Sequence, residues 1–274
     1  MRGNDAEGRV GDGPDEEFLR YWARELLDPA DPQRERWAAL ERAQIVRNEG
    51  IAAEVERFVA LRGRRVLDVG CQTGALAIAM ARRGADVTGV DVEEKLVEGA
   101  RIRARGHGVA PAFRVAVAEA MPFGDASFDA VTFVDVIEHV ADARAAVREI
   151  ARVLRPGGTL YLFGPNRLSP ALALSDPHYQ LAGVSVLPHW LGEWYVTQAR
   201  GFPRYDVGVL PVGGVVERWL AADGLRVIDS ARDDAERWWD ARAPGLRGLR
   251  RVARWWGAAR VNVAPLFRLV ARRV

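Results

Sequence analysis

Arg65-Val66-Leu67-Asp68-Val69-Gly70-Cys71-Gln72-Thr73-Gly74 is the stretch that decides how the rest of the chain is read. Its first half is a short apolar run carrying one carboxylate, the pattern of a strand buried on both faces. Gly70 and Gly74 then turn the chain, and Leu76, Met80 and the alanines around them continue as a helix closed by Gly84. A buried strand that turns through glycines into a helix is the opening unit of a parallel α/β sheet. An acid inside that strand, followed by glycines, suits a ligand with an adenosine portion and a charged tail. Gly70 is expected to let such a ligand approach the backbone, where a Cβ would collide with it. Gly74 is expected to give the tight turn and to expose helix-start amides, where an anion is favoured.

Downstream the same texture repeats. Val87–Asp91 reads as a second strand, followed by a helix that ends at Gly106. Phe113–Val117 is a weaker third strand and Phe128–Asp135 a strongly apolar fourth. Asp142 is placed to cap a helix with Val147, Ile150 and Leu154 on one face, which Pro156-Gly157-Gly158 would end. Thr159–Phe163 is a fifth strand. Strands alternating with helices require right-handed crossovers and helices on both faces. The fold class expected is therefore α/β, a doubly wound Rossmann-like sheet of seven mostly parallel strands. In such sheets ligands sit at the carboxyl ends of the strands, which selects 68–74, 91, 117–119, 135–139 and 164–167.

Around this core, residues 1–60 read as a disordered Gly-rich leader (1–14) and N-terminal helices. The first carries Phe18, Leu19, Trp22, Leu26 and Leu27 and stops at Asp28-Pro29-Ala30-Asp31-Pro32; two more span roughly 33–47 and 51–60. Residues 61–164 form the ligand-binding core. The segment 165–211 is interrupted by prolines and rich in aromatics, and is too long for an ordinary loop, so a cap with its own short helices is expected. Residues 212–274 complete the core with helix 213–222, strand Leu225–Ser230, an Arg- and Trp-rich helical stretch to about Gly257, and a last strand over Val261–Val270.

Composition bounds the rest. The chain has 274 residues, 49% of them apolar, enough for one large domain with additions. A net charge of +2 gives no reason to expect nucleic-acid binding. Lys95 is the only lysine, and the arginine excess reads as a GC-rich coding sequence. Cys71 is the only cysteine, so no internal disulfide can form. Residues 1–17 lack the apolar stretch of a secretory signal, and no run of about 20 uncharged apolar residues occurs. A soluble, cytoplasmic protein is expected.

A dinucleotide loop would show three glycines as GxGxxG, whereas the spacing here is Asp68-x-Gly70-x-x-x-Gly74. From Val66 to Asn166 the sequence resembles the class I S-adenosylmethionine-dependent methyltransferases, especially the branch with the ubiquinone-biosynthesis O-methyltransferases. The resemblance rests on Val66–Gly74, Val90-Asp91, Glu119–Phe123 with Ser127-Phe128-Asp129, Val136–Val140, Leu154–Gly158 and Pro165-Asn166. It implies S-adenosylmethionine as cofactor. Asp68 would hold the methionyl ammonium, the Gly70-Cys71-Gln72-Gly74 turn its carboxylate end, and Asp91 both ribose hydroxyls, with Val92 beside it. Gln72 departs from the glycine common in the family. Val117 stands where many relatives have an adenine-binding Asp, so adenine would rely on the Ala118 amide, on Val117 and Met121, and on Glu119. Asp135, at the fourth strand's end, is the last cofactor-side candidate; it either helps orient a substrate or only terminates the strand.

Methyl transfer from a sulfonium is an in-line displacement, and the protein's main task is orientation. A base is needed only where the nucleophile must lose a proton. His139 and His178 are the candidate catalytic residues; His139 has a purely loop-supporting alternative. Trp190, Trp194 and Tyr195 either face an aromatic acceptor or form the cap's own core. No metal-ligand set is assigned. The acceptor expected is a small molecule (a quinone precursor, a glycan or a secondary metabolite), methylated at oxygen. Asp135-Val136-Ile137-Glu138 replaces the Asn/Asp-Pro-Pro-Tyr signature of base methylation, which speaks against a nucleic-acid acceptor. The acid-free basic stretch from Arg242, with Trp255 and Trp256, could rest on anionic lipid or be an ordinary solvated helix face. The competing class is a non-catalytic cofactor-binding or scaffolding protein of the same fold; a dehydrogenase is more distant.

Overall fold

β1 (Arg65–Val69) is buried along almost its whole length, and its two faces feed two separate cores. Leu67 and Val69 enter one with Val131, Phe133, Val147, Ile150 and Leu220; Val66 enters the other with Ala130, Ile78, Met80 and Val97. This is the period-two alternation of a strand with helices on both sides. The computed structural model describes residues 13–27, 34–176, 178–202, 205–208, 210–230 and 266–274.

The remaining strands are β2 (Asp86–Asp91), β3 (Ala112–Val115), β4 (Phe128–Val134), β5 (Leu154–Pro165), β6 (Leu225–Ser230) and β7 (Leu266–Arg273). They form one seven-stranded sheet in the order β3-β2-β1-β4-β5-β7-β6. All pairings are parallel except those of β7, which runs antiparallel to both β5 and β6. Strand order reverses between β1 and β4, so the crevice beyond their carboxyl ends is where a ligand fits. On one face lie α1 (Glu16–Glu25), α2 (Arg34–Glu56), α3 (Ala75–Arg82) and α4 (Glu94–Gly106), with α1 packed on α4 and α2 on α3. On the other lies α5 (Ala143–Val153), begun by Asp142, whose side chain accepts from the Ala145 amide at 2.9 Å.

The segment between β5 and the next core helix folds as a cap with α6 (Pro170–Leu174), a 3-10 turn at Val184–Val186, α7 (His189–Trp194) and a π-turn at Tyr195–Ala199. Its core is Tyr179, Leu181, Val184, Val196, Val207 and Leu210, with Tyr195, Phe202 and Tyr205 against it. Trp190 and Trp194 do not join that core: they are 69% and 56% exposed. α8 (Gly213–Ala222) then returns to the sheet and packs on α5.

Several boundaries differ from the sequence expectation. The two helices read at 33–47 and 51–60 are the single α2, because Gly50 costs only about 1 kcal/mol inside a helix and packing on α3 outweighs it. β3 ends at Val115, and Val117 instead forms an isolated bridge with Ala120. Pro156-Gly157-Gly158 does not end α5; the helix stops at Val153, and these residues form a register irregularity inside β5, with Gly157 at φ +76°. β7 begins at Leu266 and runs to Arg273. The 1–14 leader up to residue 12, the Asp28–Pro32 stop, the Arg- and Trp-rich stretch 231–257 and residues 261–265 lie outside the described residues.

Candidate functional site

The β1–α3 loop is tied to the end of β2. The amides of Gly70 and Cys71 both donate to the Val90 carbonyl, at 2.8 and 2.9 Å, and the Gln72 amide donates to Asp91 Oδ2 at 2.9 Å. Gln72 takes φ +47°, a conformation a non-glycine residue adopts only where its surroundings hold it, and here the Asp91 bond does so. Gly70, at φ +72°, faces the side chain of Val136: an added Cβ would lie 2.3 Å from Val136 Cγ2. The protein itself therefore already holds Gly70 to glycine, and Gly70 also lines the first and third cavities described below. Gly74 likewise packs against Ala100 and Phe113 (2.9 Å each to an added Cβ), donates its amide to the Cys71 carbonyl, and lines none of the cavities described below. Gly89 of β2, which sequence reasoning passed over, is held to glycine by Phe113 and Cys71. Cys71 is buried, and burial pushes its thiol well up, so it is a packed side chain.

The two carboxylates flank this loop. Asp68 Oδ1 accepts from Thr132 Oγ1 at 2.7 Å, while Oδ2 is buried with no hydrogen-bond partner among the described residues. Burial, reinforced by the Asp91 charge, pushes Asp68 up to about 7. A buried acceptor without a partner, on the wall of a cavity, fits a bound cation or ammonium. Asp91 accepts from Gln72 through Oδ2 and from the Glu93 amide through Oδ1 at 3.1 Å, with the Val92 amide also directed at the carboxylate. Its carboxyl is raised, chiefly by burial.

Beyond β3, Ala118 is buried while Val92 and Val117 are exposed, and all three line one cavity of about 530 Å³ together with Asp91 and Glu119. Glu119 is already engaged, accepting from the Asp142 amide at 3.0 Å. Met121 does not reach this cavity; its side chain is in the core. Its amide donates to Glu149 Oε1 at 2.7 Å and its carbonyl accepts from Arg152 at 3.2 Å, two α5 side chains that hold the wall in place.

At the end of β4, Asp135 (φ +54°) is salt-bridged to Arg47 of α2. Glu138 is 1% exposed, and its Oε2 has no partner among the described residues. Burial first, and Asp135 second, push its carboxyl up to about 8. His139 donates from Nδ1 to the Asp206 carbonyl oxygen, 2.9 Å away, and its ring meets that of His178 edge-on at 5.1 Å. Burial, then the neighbouring His139, lowers His178 to about 4. The cap thus brings His178 to the strand end, next to His139, as one site.

Three adjoining cavities meet here, and Gln72 and His139 line every one of them. The first, about 360 Å³, holds Asp68, Gly70, Asp135 and Glu138; the second, about 610 Å³, is walled by Trp22, Trp37, Tyr179 and Phe202; the third is the cavity at Asp91. The aromatic roof from α1 and α2 was missed from sequence. Trp37, Gln44, Arg47 and Asn48 all line the first cavity, and their helical spacing of seven, ten and eleven was the available signal. That roof is fastened to the loop: Arg103, fully buried on α4, pairs with Asp15 at 2.9 Å and Glu41 at 2.7 Å, and Glu41 accepts from Thr73 Oγ1 at 2.9 Å.

Residues 67–162 match the family described as a methyltransferase domain. A ubiquinone biosynthesis O-methyltransferase of Sinorhizobium medicae is 39% identical over 169 residues, 62% of each chain. One from Xanthomonas campestris pv. campestris is 45% identical over 131 residues, 47% of this chain and 53% of that one. The matches therefore span less than two thirds of these curated relatives. Among solved structures, the magnesium protoporphyrin IX methyltransferase of Synechocystis PCC 6803 superposes with a TM-score of 0.56 at 18% identity, over 93% of this chain and 94% of that one. The PH0226 protein of Pyrococcus horikoshii OT3 gives 0.58 at 18% identity, over 93% and 99%. The fold is the one these two solved structures share, and residues 67–162 are similar to the methyltransferase-domain family.

Proposed function

We propose that this chain transfers the methyl group of S-adenosylmethionine to a hydroxyl oxygen of a small-molecule acceptor. The observation that carries the reading is the junction of the three cavities at Gln72 and His139, with the two carboxylates Asp68 and Asp91 on the cofactor side and an aromatic roof on the other. When bound, the cofactor supplies an electrophilic methyl on a sulfonium that leaves as a neutral thioether. Asp68, through its unpartnered oxygen, would hold the methionyl ammonium; Asp91 would take the ribose hydroxyls; Val92, Val117 and Ala118 would pack against adenine.

The acceptor would lie under Trp22, Trp37, Tyr179 and Phe202, which suit a planar aromatic ring. The curated relatives' names favour a phenolic quinone precursor over a glycan or another secondary metabolite. The reaction forms the O–C bond as the C–S bond breaks, and the hydroxyl proton leaves toward the polar group Glu138, His139 and His178. No helix among the described residues is long and apolar enough to cross a membrane, and a single buried thiol suits a reducing compartment such as the cytoplasm.

The test is calorimetry of the chain with S-adenosylmethionine and S-adenosylhomocysteine, then incubation with a panel of catechols, hydroquinones and phenols. A product heavier by one methylene, with S-adenosylhomocysteine in equal amount, is expected. Absence of binding to either nucleoside would overturn the reading. Tight binding without turnover across the panel would favour the scaffolding alternative.

A further inference from the structure

We propose that Tyr179 is a positioning residue: through Asp206 it fixes His139 in the tautomer whose bare Nε2 takes the acceptor's hydroxyl proton. The proton step rests on the proposed methyl transfer; the fixed tautomer does not. The Tyr179 hydroxyl donates to Asp206 Oδ1 at 2.5 Å, and the Asp206 amide donates back to the same hydroxyl oxygen at 3.1 Å. The Asp206 carbonyl in turn lies 2.9 Å from His139 Nδ1. A side chain of the cap is thereby linked to an imidazole at the end of β4.

Each proton in this relay has one place to go. A carboxylate only accepts, so the phenol donates to Asp206 and its oxygen is left to accept the Asp206 amide. Burial, then the bond to Asp206, pushes the Tyr179 hydroxyl above its ordinary value, which keeps that proton in place. A backbone carbonyl also only accepts, so His139 carries its proton on Nδ1 and presents a lone pair at Nε2. Glu138 Oε1 lies 3.8 Å from Nε2, too far for a hydrogen bond. The lone pair therefore stays available where the three cavities meet. His178, lowered to about 4 chiefly by burial, takes up a proton poorly at neutral pH.

The relay is anchored at both ends. The Tyr179 amide donates to Asp176 Oδ1 at 2.8 Å, and the ring packs edge-on against Phe202 at 5.1 Å in the cap core. Just beyond Asp206, the Gly208 amide donates to the Glu138 carbonyl at 2.7 Å, and an added Cβ would lie 3.1 Å from that oxygen. Residues 206–208 are thus seated on Glu138-His139 from one side and held by Tyr179 from the other. Asp206 itself lines the second and third cavities. As the O–C bond forms and the C–S bond breaks, the hydroxyl proton passes to Nε2, and the Asp206 carbonyl stabilises the imidazolium through Nδ1–H. The proton then leaves to solvent from the partly exposed ring.

The experiment is long-range proton–nitrogen NMR of the isotope-labelled full chain, which tells a protonated ring nitrogen from a bare one, beside steady-state methylation of the best acceptor in the phenol panel. The chain has four histidines, and the pattern lost in His139→Gln assigns the signal. The wild type should show His139 protonated at Nδ1 and bare at Nε2. Tyr179→Phe keeps the ring and removes the hydroxyl. His139 should then divide between both tautomers, and kcat should fall about tenfold or more, a share of the usual general-base effect, with the acceptor KM unmoved. Asp206→Ala should do the same, whereas Asp206→Asn, which keeps an accepting oxygen, should stay near the wild type in both readouts. Circular dichroism reports whether each variant is folded. A wild-type His139 protonated at Nε2 would overturn the inference, as would an unchanged tautomer or an unchanged kcat in folded Tyr179→Phe. No turnover by the wild type sinks the methyl-transfer reading and the proton step with it, while the tautomer stands or falls on the spectrum alone.

Discussion

Replacing Gly70 with alanine separates two explanations of the loop that opens the site. Were Gly70 kept small for the ligand's sake, an added Cβ would weaken cofactor binding and leave the empty protein's stability alone. The structure says otherwise: the backbone sits at φ +72°, and the new Cβ would meet Val136 Cγ2 at 2.3 Å and Cγ1 at 2.6 Å. The left-handed conformation costs an L-residue roughly 1–2 kcal/mol, and forcing an extra carbon into packed surroundings adds about 1–3 kcal/mol. Gly70→Ala should therefore destabilise the unliganded chain by about 2–5 kcal/mol in urea unfolding. Val136→Ala removes both offending methyls and alone should cost about 1–2 kcal/mol. The double variant should then be more stable than the sum of the singles implies, by about 1–3 kcal/mol, with the backbone strain remaining. An unchanged urea midpoint for Gly70→Ala, or strict additivity with Val136→Ala, would refute the packing explanation.

Asp68 is expected to make both stability and cofactor binding depend on pH. Its folded-state pKa is raised to about 7, so the protonated acid's contribution is complete below the ordinary carboxylate range and is lost as pH rises through 7. Unfolding free energy of the empty chain should fall across that window by up to on the order of 4 kcal/mol, and Asp68→Asn should flatten the curve. S-adenosylmethionine should bind more tightly as the pH rises past 7, with calorimetry at pH 6 and 8 as the check; equal affinities would contradict the ammonium contact. Arg103→Met strips the counter-charge from Asp15 and Glu41 and should cost about 3–5 kcal/mol; a loss below about 1 kcal/mol in denaturant would show that the pair is dispensable. Trp22→Ala should raise the acceptor KM roughly tenfold, the scale of a lost aromatic contact, with the cofactor Kd unmoved; a shift in the cofactor Kd instead would move Trp22 out of the acceptor cavity.

That Asp68 and Asp91 would come together was legible because both stand at or next to the ends of apolar strands. Asp68 and Asp91 close apolar runs, and register alone carries them to neighbouring strands of the sheet. The parts that misled were those where local signals compete. Pro156-Gly157-Gly158 carries every mark of a helix stop, yet the pairing of Leu154 with Phe128 starts the strand first. Gly70 and Gly74 were read against a ligand, while the atoms that forbid a Cβ belong to Val136, Ala100 and Phe113. Residues 26 to 66 positions away do the constraining, and a pattern read within one segment does not contain them.

The aromatic cavity proposed for the acceptor illustrates the same physics from the other side. Trp22 and Trp37 come from helices that precede the sheet, Tyr179 and Phe202 from the cap that follows β5, and only tertiary packing brings them over one cavity. The helical period of α2 puts Trp37, Gln44, Arg47 and Asn48 on one face, but no local pattern says that the cap will meet that face. What joins the two halves is a chain of polar contacts that a propensity reading ignores: Thr73 in the loop donates to Glu41 of α2, Glu41 pairs with the buried Arg103, and Arg103 holds Asp15 at the start of α1. The roof is therefore fastened through side chains to the loop beside the cofactor, and its placement depends on charges that are costly to leave unpaired. A ligand that orders the loop would also order Glu41, and through it the helices that carry Trp22 and Trp37. On this geometry, cofactor binding should precede and strengthen acceptor binding, and weakening the Arg103 pairs should erode that order before it erodes cofactor affinity.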